Sequence, residues 1–261
     1  MMSLLNLFVA TNILLSPIEL KLNDLAPIET DISKSQSIYL VRHGESFLNL
    51  PDSNGIRYTS GKSLSSPLTD HGRKQASSLG NKLIGKLPFD GQYIILSSTA
   101  LRAQETADRL FEEIKSHYDV ERGDSYDNLC ELGQGIWEGQ PRDEKYDLQV
   151  KIWDELSAKD KFTIPKLMTG ESFSEVATRA LIDLQQIVDR YPDKIIIIIT
   201  HYAAMNALAL QWSSDTELLS EDLSTPLPSL RFNNCDILKV ELPEGNLIDK
   251  AKVQMHIKSE V

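Results

Sequence analysis

Cysteine is scarce in this chain of 261 residues, which has only Cys130 and Cys235. The two stand far apart and form no Cys-x-x-Cys pair, which argues against a disulfide framework and against a thiolate metal site. They could still pair with each other, but two lone cysteines in a chain of this length are more typical of a reduced protein. We therefore expect a cytoplasmic location.

Positive charge is also in short supply. The chain has 27 Lys and Arg against 38 Asp and Glu, which gives a net charge of −11. Nucleic-acid surfaces are basic, so we expect no nucleic-acid partner. A small anionic substrate stays open, because a cleft lined by a few arginines has its own local field.

No apolar run is long enough to cross a membrane. Residues 1–15 are strongly apolar, but polar residues interrupt them and a spanning helix needs about 20 residues. No Lys or Arg precedes Lys21, so the basic start of a secretory signal is lacking too. We expect residues 1–36 to form an apolar extension, loosely docked, with a linker, and residues 37–261 to form one domain. A weak signal sequence, or an anchor that touches a membrane surface, is the alternative.

The chain does contain an alternation of strand and helix patterns, which favours a largely parallel sheet covered on both faces. Five consecutive isoleucines at 195–199 predict a central strand, and regular apolar spacing with a Ser172–Glu175 capping box predicts a helix over 172–190. Further strands are predicted at 38–41 and 93–96, and at the sheet edges at 237–242 and 253–257; further helices are predicted from Thr69 to near Gly85 and over 100–114. The predicted fold is α/β: a single three-layer α/β/α domain with a mostly parallel central sheet flanked by helices.

The first predicted strand ends on Arg42-His43-Gly44. In open α/β sheets, ligands bind beyond the carboxyl ends of the strands. The planar fork of an arginine matches a phosphate group, and a neutral imidazole nitrogen can act as a nucleophile. Gly44 would let the backbone approach a ligand closely or take a positive φ.

Three further segments stand at the same kind of position. Arg102 falls in the first turn of a predicted helix, Glu131 in an acidic, glycine-rich loop, and His201 at the end of the isoleucine strand. Two predicted strands thus end in a histidine, which is what a shared ligand crevice would produce.

Together these segments resemble the histidine phosphatase superfamily, the phosphoglycerate-mutase-like fold, and its phosphatase branch in particular. The resemblance covers most of residues 37–242. The motifs that carry it are Arg42-His43-Gly44 with Glu45 and Asn49, Pro67-Leu68-Thr69-x-x-Gly72, Arg102 within Ser-Ser-…-Arg-Ala-…-Thr-Ala, Glu131 within Glu-x-x-x-Gly…Glu-Gly, His201, and Gly170-Glu171-Ser172 with Arg179.

The resemblance implies a metal-independent phosphatase of the histidine acid type that hydrolyses a phosphomonoester through a phosphohistidine intermediate. His43 would be the nucleophile, Glu131 would protonate the leaving group and then deprotonate water, and His201 would donate to the phosphate. Arg42 and Arg102 would bind the phosphate oxygens, where the charge of the transition state lies. No cofactor is implied, and no His/Cys/Asp cluster with ligand spacing predicts a metal.

Asn49 and the backbone at Tyr202 complete the implied phosphate site. Tyr202 is a departure, because relatives usually have glycine there, and its side chain could narrow the pocket. Other carboxylates capable of the acid role are Glu45, Asp127 and Glu138.

A loop inserted after Asn49, over residues 50–64, is either a lid whose Arg57 and Lys62 add anion contacts or surface decoration. The substrate implied is a small phosphorylated metabolite, and the sequence leaves open which one and whether the chain forms a homodimer. The alternative functions are a 2,3-bisphosphoglycerate-dependent phosphoglycerate mutase, disfavoured by the mixed charge of residues 140–168, and a binding or scaffold member without turnover.

Overall fold

The computed structural model describes residues 36–212, 231–243, 248 and 251–258. Apart from Gln36, the predicted extension and linker lie outside these residues, so that division of the chain stays a prediction. The described part is a single α/β domain around a six-stranded sheet. Within the described ranges, no helix has the length and apolar character needed to cross a membrane.

The sheet is mostly parallel, as predicted, and its spatial order is β3-β2-β4-β1-β5-β6. Strands β3, β2, β4 and β1 run parallel, whereas β5 is antiparallel to β1 and β6 is antiparallel to β5. The strands are β1 Ser37–Arg42, β2 Gln92–Ser98, β3 Asp119–Tyr126, β4 Ile195–Thr200, β5 Ile237–Glu241 and β6 Lys252–Ile257.

Helices cover both faces of this sheet, which confirms the three-layer prediction. Apolar residues of α1 and α2 pack on one face, and those of α5 and α6 pack on the other. The helices are α1 Asp70–Leu83, α2 Leu101–Ile114, α3 Glu144–Asp154, α4 Ala158–Thr163, α5 Phe173–Arg190 and α6 Tyr202–Trp212. Helix α5 begins with the predicted capping box of Ser172 and Glu175, and the side chain of Thr69 caps α1.

The isoleucine run forms β4, between β2 and β1. Its side chains alternate between the two faces: Ile196 and Ile198 join the cluster under α5 and α6, and Ile197 and Ile199 join the cluster under α1 and α2. All four are 0% exposed. A strand buried on both faces needs apolar residues at every position, which explains the run.

Four expectations about the elements were wrong or incomplete. β5 lies between β1 and β6 rather than at an edge. Its residues Leu238 and Val240 are fully buried in the core. The edge strand β3 was missed because its sequence is polar, in keeping with its partly exposed position. Helices α3 and α4 were missed as well; the charged segment at 142–145 leads into α3, and Asp143 caps this helix by accepting from the backbone N–H groups of Lys145 and Tyr146.

Truncation of a central isoleucine should test the role of β4. Ile198→Ala removes buried methyl groups from a filled core, so the free energy of unfolding should fall by about 2–5 kcal/mol. Ile182→Ala is the matched control, because Ile182 lies on α5 with 53% of its surface exposed. Urea denaturation of the two variants measures the difference; equal losses would show that β4 is not the packed centre of the sheet.

Candidate active site

The two predicted histidines lie side by side at the carboxyl ends of β1 and β4. These strands are parallel neighbours, with Arg42 opposite Thr200 in the register, so the next residue of each strand falls at the same edge. The backbone N–H of His43 donates to the carbonyl oxygen of Thr200 at 3.0 Å. The centroids of the His43 and His201 rings are 5.0 Å apart.

Arg102 joins the two rings. It lies in the first turn of α2 and is only 2% exposed. Its Nε donates to Nε2 of His43, and its Nη2 donates to Nδ1 of His201, both at 3.2 Å. One buried cation therefore holds both imidazoles, and three of the predicted site residues are brought together directly.

The hydrogen bonds fix which nitrogen of each ring carries the proton. Nδ1 of His43 lies 2.6 Å from the carbonyl oxygen of Gly44, which can only accept, so Nδ1 is the protonated nitrogen and Nε2 keeps its lone pair. In His201, Nδ1 faces the arginine, which can only donate, so Nε2 carries the proton and donates to Oγ of Ser98 at 2.7 Å. His201 accepts from Arg102 here, so its expected role as a donor to phosphate stays a prediction.

Burial and charge keep both rings neutral. The pKa of His43 lies well below its usual value because the ring is desolvated, with Arg102 and Arg42 adding to the effect. Desolvation is also the main reason that the pKa of His201 lies well below its usual value, and Arg102 makes the largest charge contribution. Nε2 of His43 therefore has the lone pair that a nucleophile needs.

Arg42 approaches the same place from the end of β1. Its Nη1 donates to the carbonyl oxygen of Phe232 at 2.6 Å, and its guanidinium carbon lies 5.5 Å from the centre of the Tyr202 ring. Its Nε is buried and has no hydrogen-bond partner within the described part of the chain. Burial lowers the pKa of Arg42, and the negative charge of Glu131 partly offsets that effect.

Glu131 is fixed against the start of α6. Its Oε1 accepts from its neighbour Leu132 at 2.9 Å and from the backbone N–H of Ala203 at 3.0 Å. Its charge also raises the pKa of Arg102, against a larger lowering by burial. The Glu131 carboxylate thus affects both arginines and is bonded to the backbone of Ala203, two residues after His201.

The three alternative carboxylates brace loops. Glu45 accepts from the Thr69 hydroxyl at 2.8 Å, and Asp127 accepts from the Thr99 hydroxyl at 2.7 Å. Glu138 accepts backbone N–H groups from residues 62 and 134. Glu138 contributes to the field at Arg102, but only after Glu131.

Within the described part of the chain, no hydrogen bond joins the side chain of Asn49 to the other predicted site residues. Its Oδ1 instead accepts from the backbone N–H and the hydroxyl of Ser46, at 2.9 and 3.2 Å. Of the two roles expected for Gly44, a positive φ is not found, and close approach of its backbone to a ligand stays a prediction. A Cβ on Gly44 would lie 2.5 Å from the carbonyl oxygen of Gly72, so the glycine serves close packing against the start of α1.

The inserted loop at residues 50–64 contacts the site directly, so it is not surface decoration. The carbonyl oxygens of Ser63 and Gly61 accept from Arg102 at 2.6 and 3.4 Å. The cations expected to bind an anion have partners within the protein: Lys62 contacts Glu171 at 2.7 Å, and Arg57 donates to the Asn49 carbonyl at 3.0 Å.

Glu171 and Arg179 support the loop that bears Glu131. Arg179 pairs with Glu171 and donates to the carbonyl oxygen of Glu131 at 2.9 Å. Glu171 in turn accepts from the backbone N–H of Gly133 at 2.7 Å. The sequence marked both residues only as motif matches and assigned them no role.

Two supporting side chains were missed altogether. Ser98 holds His201, and Nδ2 of Asn234 donates to the carbonyl oxygen of His43 at 2.8 Å. The serine pair at the end of β2 was a usable signal for the first. Asn234 lies far along the chain in an unremarkable segment, so nothing in the sequence pointed to the second. Within the described residues, no cluster of three or more His, Cys, Asp or Glu side chains could hold a metal ion.

Comparisons with known proteins find relatives by sequence and by structure. A curated relative, the mitochondrial serine/threonine-protein phosphatase Pgam5 of Drosophila ananassae, is 40% identical over 89 residues, which are 34% of this chain and 26% of that protein. The chain thus matches about a quarter of that relative's length.

Solved structures match over far more of the chain. Bacillus stearothermophilus YhfR is 26% identical, with a TM-score of 0.62 over 87% of this chain and 98% of its own. A mycobacterial glucosyl-3-phosphoglycerate phosphatase, 21% identical, has a TM-score of 0.62 over 86% of this chain and 100% of its own, and at that identity it supports the fold alone. The model of the histidine phosphatase superfamily (branch 1) matches residues 38–246, and this chain belongs to that superfamily.

Proposed function

We propose that this chain hydrolyses a phosphomonoester through a phosphohistidine on His43, without a metal ion. The observation that carries the proposal is the position of Arg102, which lies between two neutral imidazoles and bonds to Nε2 of His43. A guanidinium at the nucleophilic nitrogen would hold the phosphate oxygens where that nitrogen attacks phosphorus. The buried Nε of Arg42, which lacks a partner within the described residues, adds a donor for a further phosphate oxygen.

The reaction would take two displacements at phosphorus. In the first, the lone pair on Nε2 of His43 forms the N–P bond, the bond from phosphorus to the ester oxygen breaks, and the Glu131 carboxyl gives its proton to that oxygen. In the second, Glu131 takes a proton from water, the water oxygen bonds to phosphorus, and the N–P bond breaks. His43 regains its lone pair, Glu131 regains its proton, and inorganic phosphate leaves.

The substrate class and setting are also proposals. We expect a small phosphorylated metabolite, although the Pgam5 relatives are protein phosphatases by name. The cytoplasm stays the expected compartment because both cysteines are free and buried, whereas those relatives are mitochondrial by name. The mutase and the scaffold are the alternatives. The ring of Tyr202, where relatives usually have glycine, packs against Arg42.

Loss of the nucleophile should abolish turnover. His43→Ala should lower the rate of phosphate release from p-nitrophenyl phosphate by at least about a hundredfold, because no other group forms the N–P bond. His117→Ala is the control, since His117 is an exposed histidine. Rapid quenching of the wild-type enzyme should trap a phosphoryl group on His43 that is labile in acid. An acid-stable phosphoryl group, or turnover by His43→Ala, would contradict the assignment; a folded wild type with no turnover would favour the mutase or the scaffold.

The role of Glu131 can be tested with two substrates whose leaving groups differ in their need for a proton. An alkyl alkoxide needs a proton when its bond to phosphorus breaks, whereas p-nitrophenolate leaves without one. Glu131→Gln should therefore lower kcat for an alkyl phosphate much more than kcat for p-nitrophenyl phosphate. Glu138→Gln is the matched control, because Glu138 is bonded to two backbone N–H groups of the loops. Equal losses on both substrates would show that Glu131 binds substrate and does not donate the proton.

The buried neutral histidines should make the fold sensitive to acid. In the unfolded chain a histidine takes up a proton near pH 6.5, whereas His43 and His201 resist protonation in the fold to well below that value. Below pH 6.5 the unfolded state therefore binds more protons than the folded state. The contribution of the two neutral rings to the free energy of unfolding is complete above pH 6.5 and is lost as the pH falls below that value. Each ring contributes a slope of up to about 1.4 kcal/mol per pH unit.

His201→Gln should reduce that slope in urea denaturation between pH 7 and pH 5.5. His117→Gln should leave the slope unchanged, because it removes an exposed ring. If the wild type and His201→Gln lost stability equally per pH unit, the ring would not be held neutral by the fold.

A further inference from the structure

A second pocket lies outside the candidate active site. It has a volume of about 410 Å³ and is bounded by the C-terminal part of α1, the segment that follows it, and β1 and β5. Its walls are mainly apolar, with Leu79, Leu83, Leu87 and Ile237 among the lining residues. None of the residues assigned to the phosphate site lines it.

The charged side chains that line this pocket are all positive. Of the described residues that line it, four are lysines and none is acidic, in a chain whose net charge is −11. Lys239 is already paired with Glu241, at 2.7 Å, at the pocket wall. Lys86 and Lys258, both exposed, bring positive charge to an apolar pocket.

The size and the walls define the ligand. A cavity of about 150 Å³ already takes up benzene, and small-molecule sites generally measure about 300–1,000 Å³. An apolar pocket of about 410 Å³ thus has room for a chain or ring system of several carbon atoms. The lysines favour a ligand whose polar end is negatively charged, since a cationic end would meet like charges.

We propose that this pocket binds an amphipathic anion, a small molecule with an apolar body inside the pocket and an anionic head among the lysines. The body would be held by burial of its CH₂ groups against the apolar walls. The head would be selected by Lys86 and Lys258. The proposal is independent of the phosphatase activity.

Decanoate is a suitable probe, because it joins an apolar chain to one carboxylate and contains no phosphoester. Calorimetric titration of the full chain, with inorganic phosphate present to occupy the phosphate site, should show saturable binding at one site. Decyltrimethylammonium, which has the same chain and a cationic head, should bind far more weakly. Failure of decanoate to saturate, or equal binding of the two compounds, would overturn the proposal.

Charge reversal should locate the site. The double variant Lys86→Glu/Lys258→Glu should weaken decanoate binding by about tenfold or more, because two attractions become repulsions. Lys145→Glu/Lys151→Glu is the matched control: both lysines are exposed on α3, and the change in net charge is the same. The four positions are on the surface, so thermal unfolding should show both variants folded. Equal affinities in the two variants would place the binding elsewhere and overturn the proposal.

Discussion

The burial of the Arg102 guanidinium is the constraint on which the candidate site depends. A buried cation is costly unless its donors find acceptors, and at 2% exposure this one has little access to water. The acceptors come from three separate parts of the chain: the imidazoles that follow β1 and β4, and the carbonyl oxygens of the loop at 50–64. Burial is the first reason that both rings stay neutral, and the charge of Arg102 adds to it. The hydrogen bonds of the arginine also leave a lone pair on the ring nitrogen that each histidine turns toward it.

This arrangement suits the proposed chemistry because the same contacts prepare the site for an anion. A phosphomonoester brings about two negative charges to a place where Arg102 is buried and Arg42 is half-buried, and where Glu131 is the carboxylate with the largest effect on both arginines. Arg102 would have to exchange some of its carbonyl contacts for phosphate oxygens. The inserted loop supplies those carbonyls, and the Lys62–Glu171 pair also holds it. Phosphate binding would therefore be linked to the position of this loop through the Arg102 side chain.

The sequence predicted the parts of this design that rest on side-chain patterns. The isoleucine run predicted β4, and the histidines at the ends of β1 and β4 were placed together because parallel strands end at one edge. β3 was missed because an edge strand with exposed residues has the composition of a loop. The contacts to Phe232, Gly61 and Ser63 could not be predicted, since a backbone carbonyl leaves no mark on residue identity. The position of Asn49 on Ser46 shows a further limit, because a matched motif does not fix which neighbour a side chain contacts.

The segment at 232–236 contacts both the candidate active site and the second pocket. Its backbone holds Arg42 through the carbonyl of Phe232, and Asn234 holds the carbonyl of His43. Cys235, in the same segment, lines the apolar pocket and donates its backbone N–H to Arg42 at 2.9 Å. Its φ of 63° is a left-handed conformation that a non-glycine residue adopts only when its surroundings enforce it. The segment therefore contacts Arg42 and His43 at the end of β1, and through Cys235 it also forms part of the wall of the second pocket.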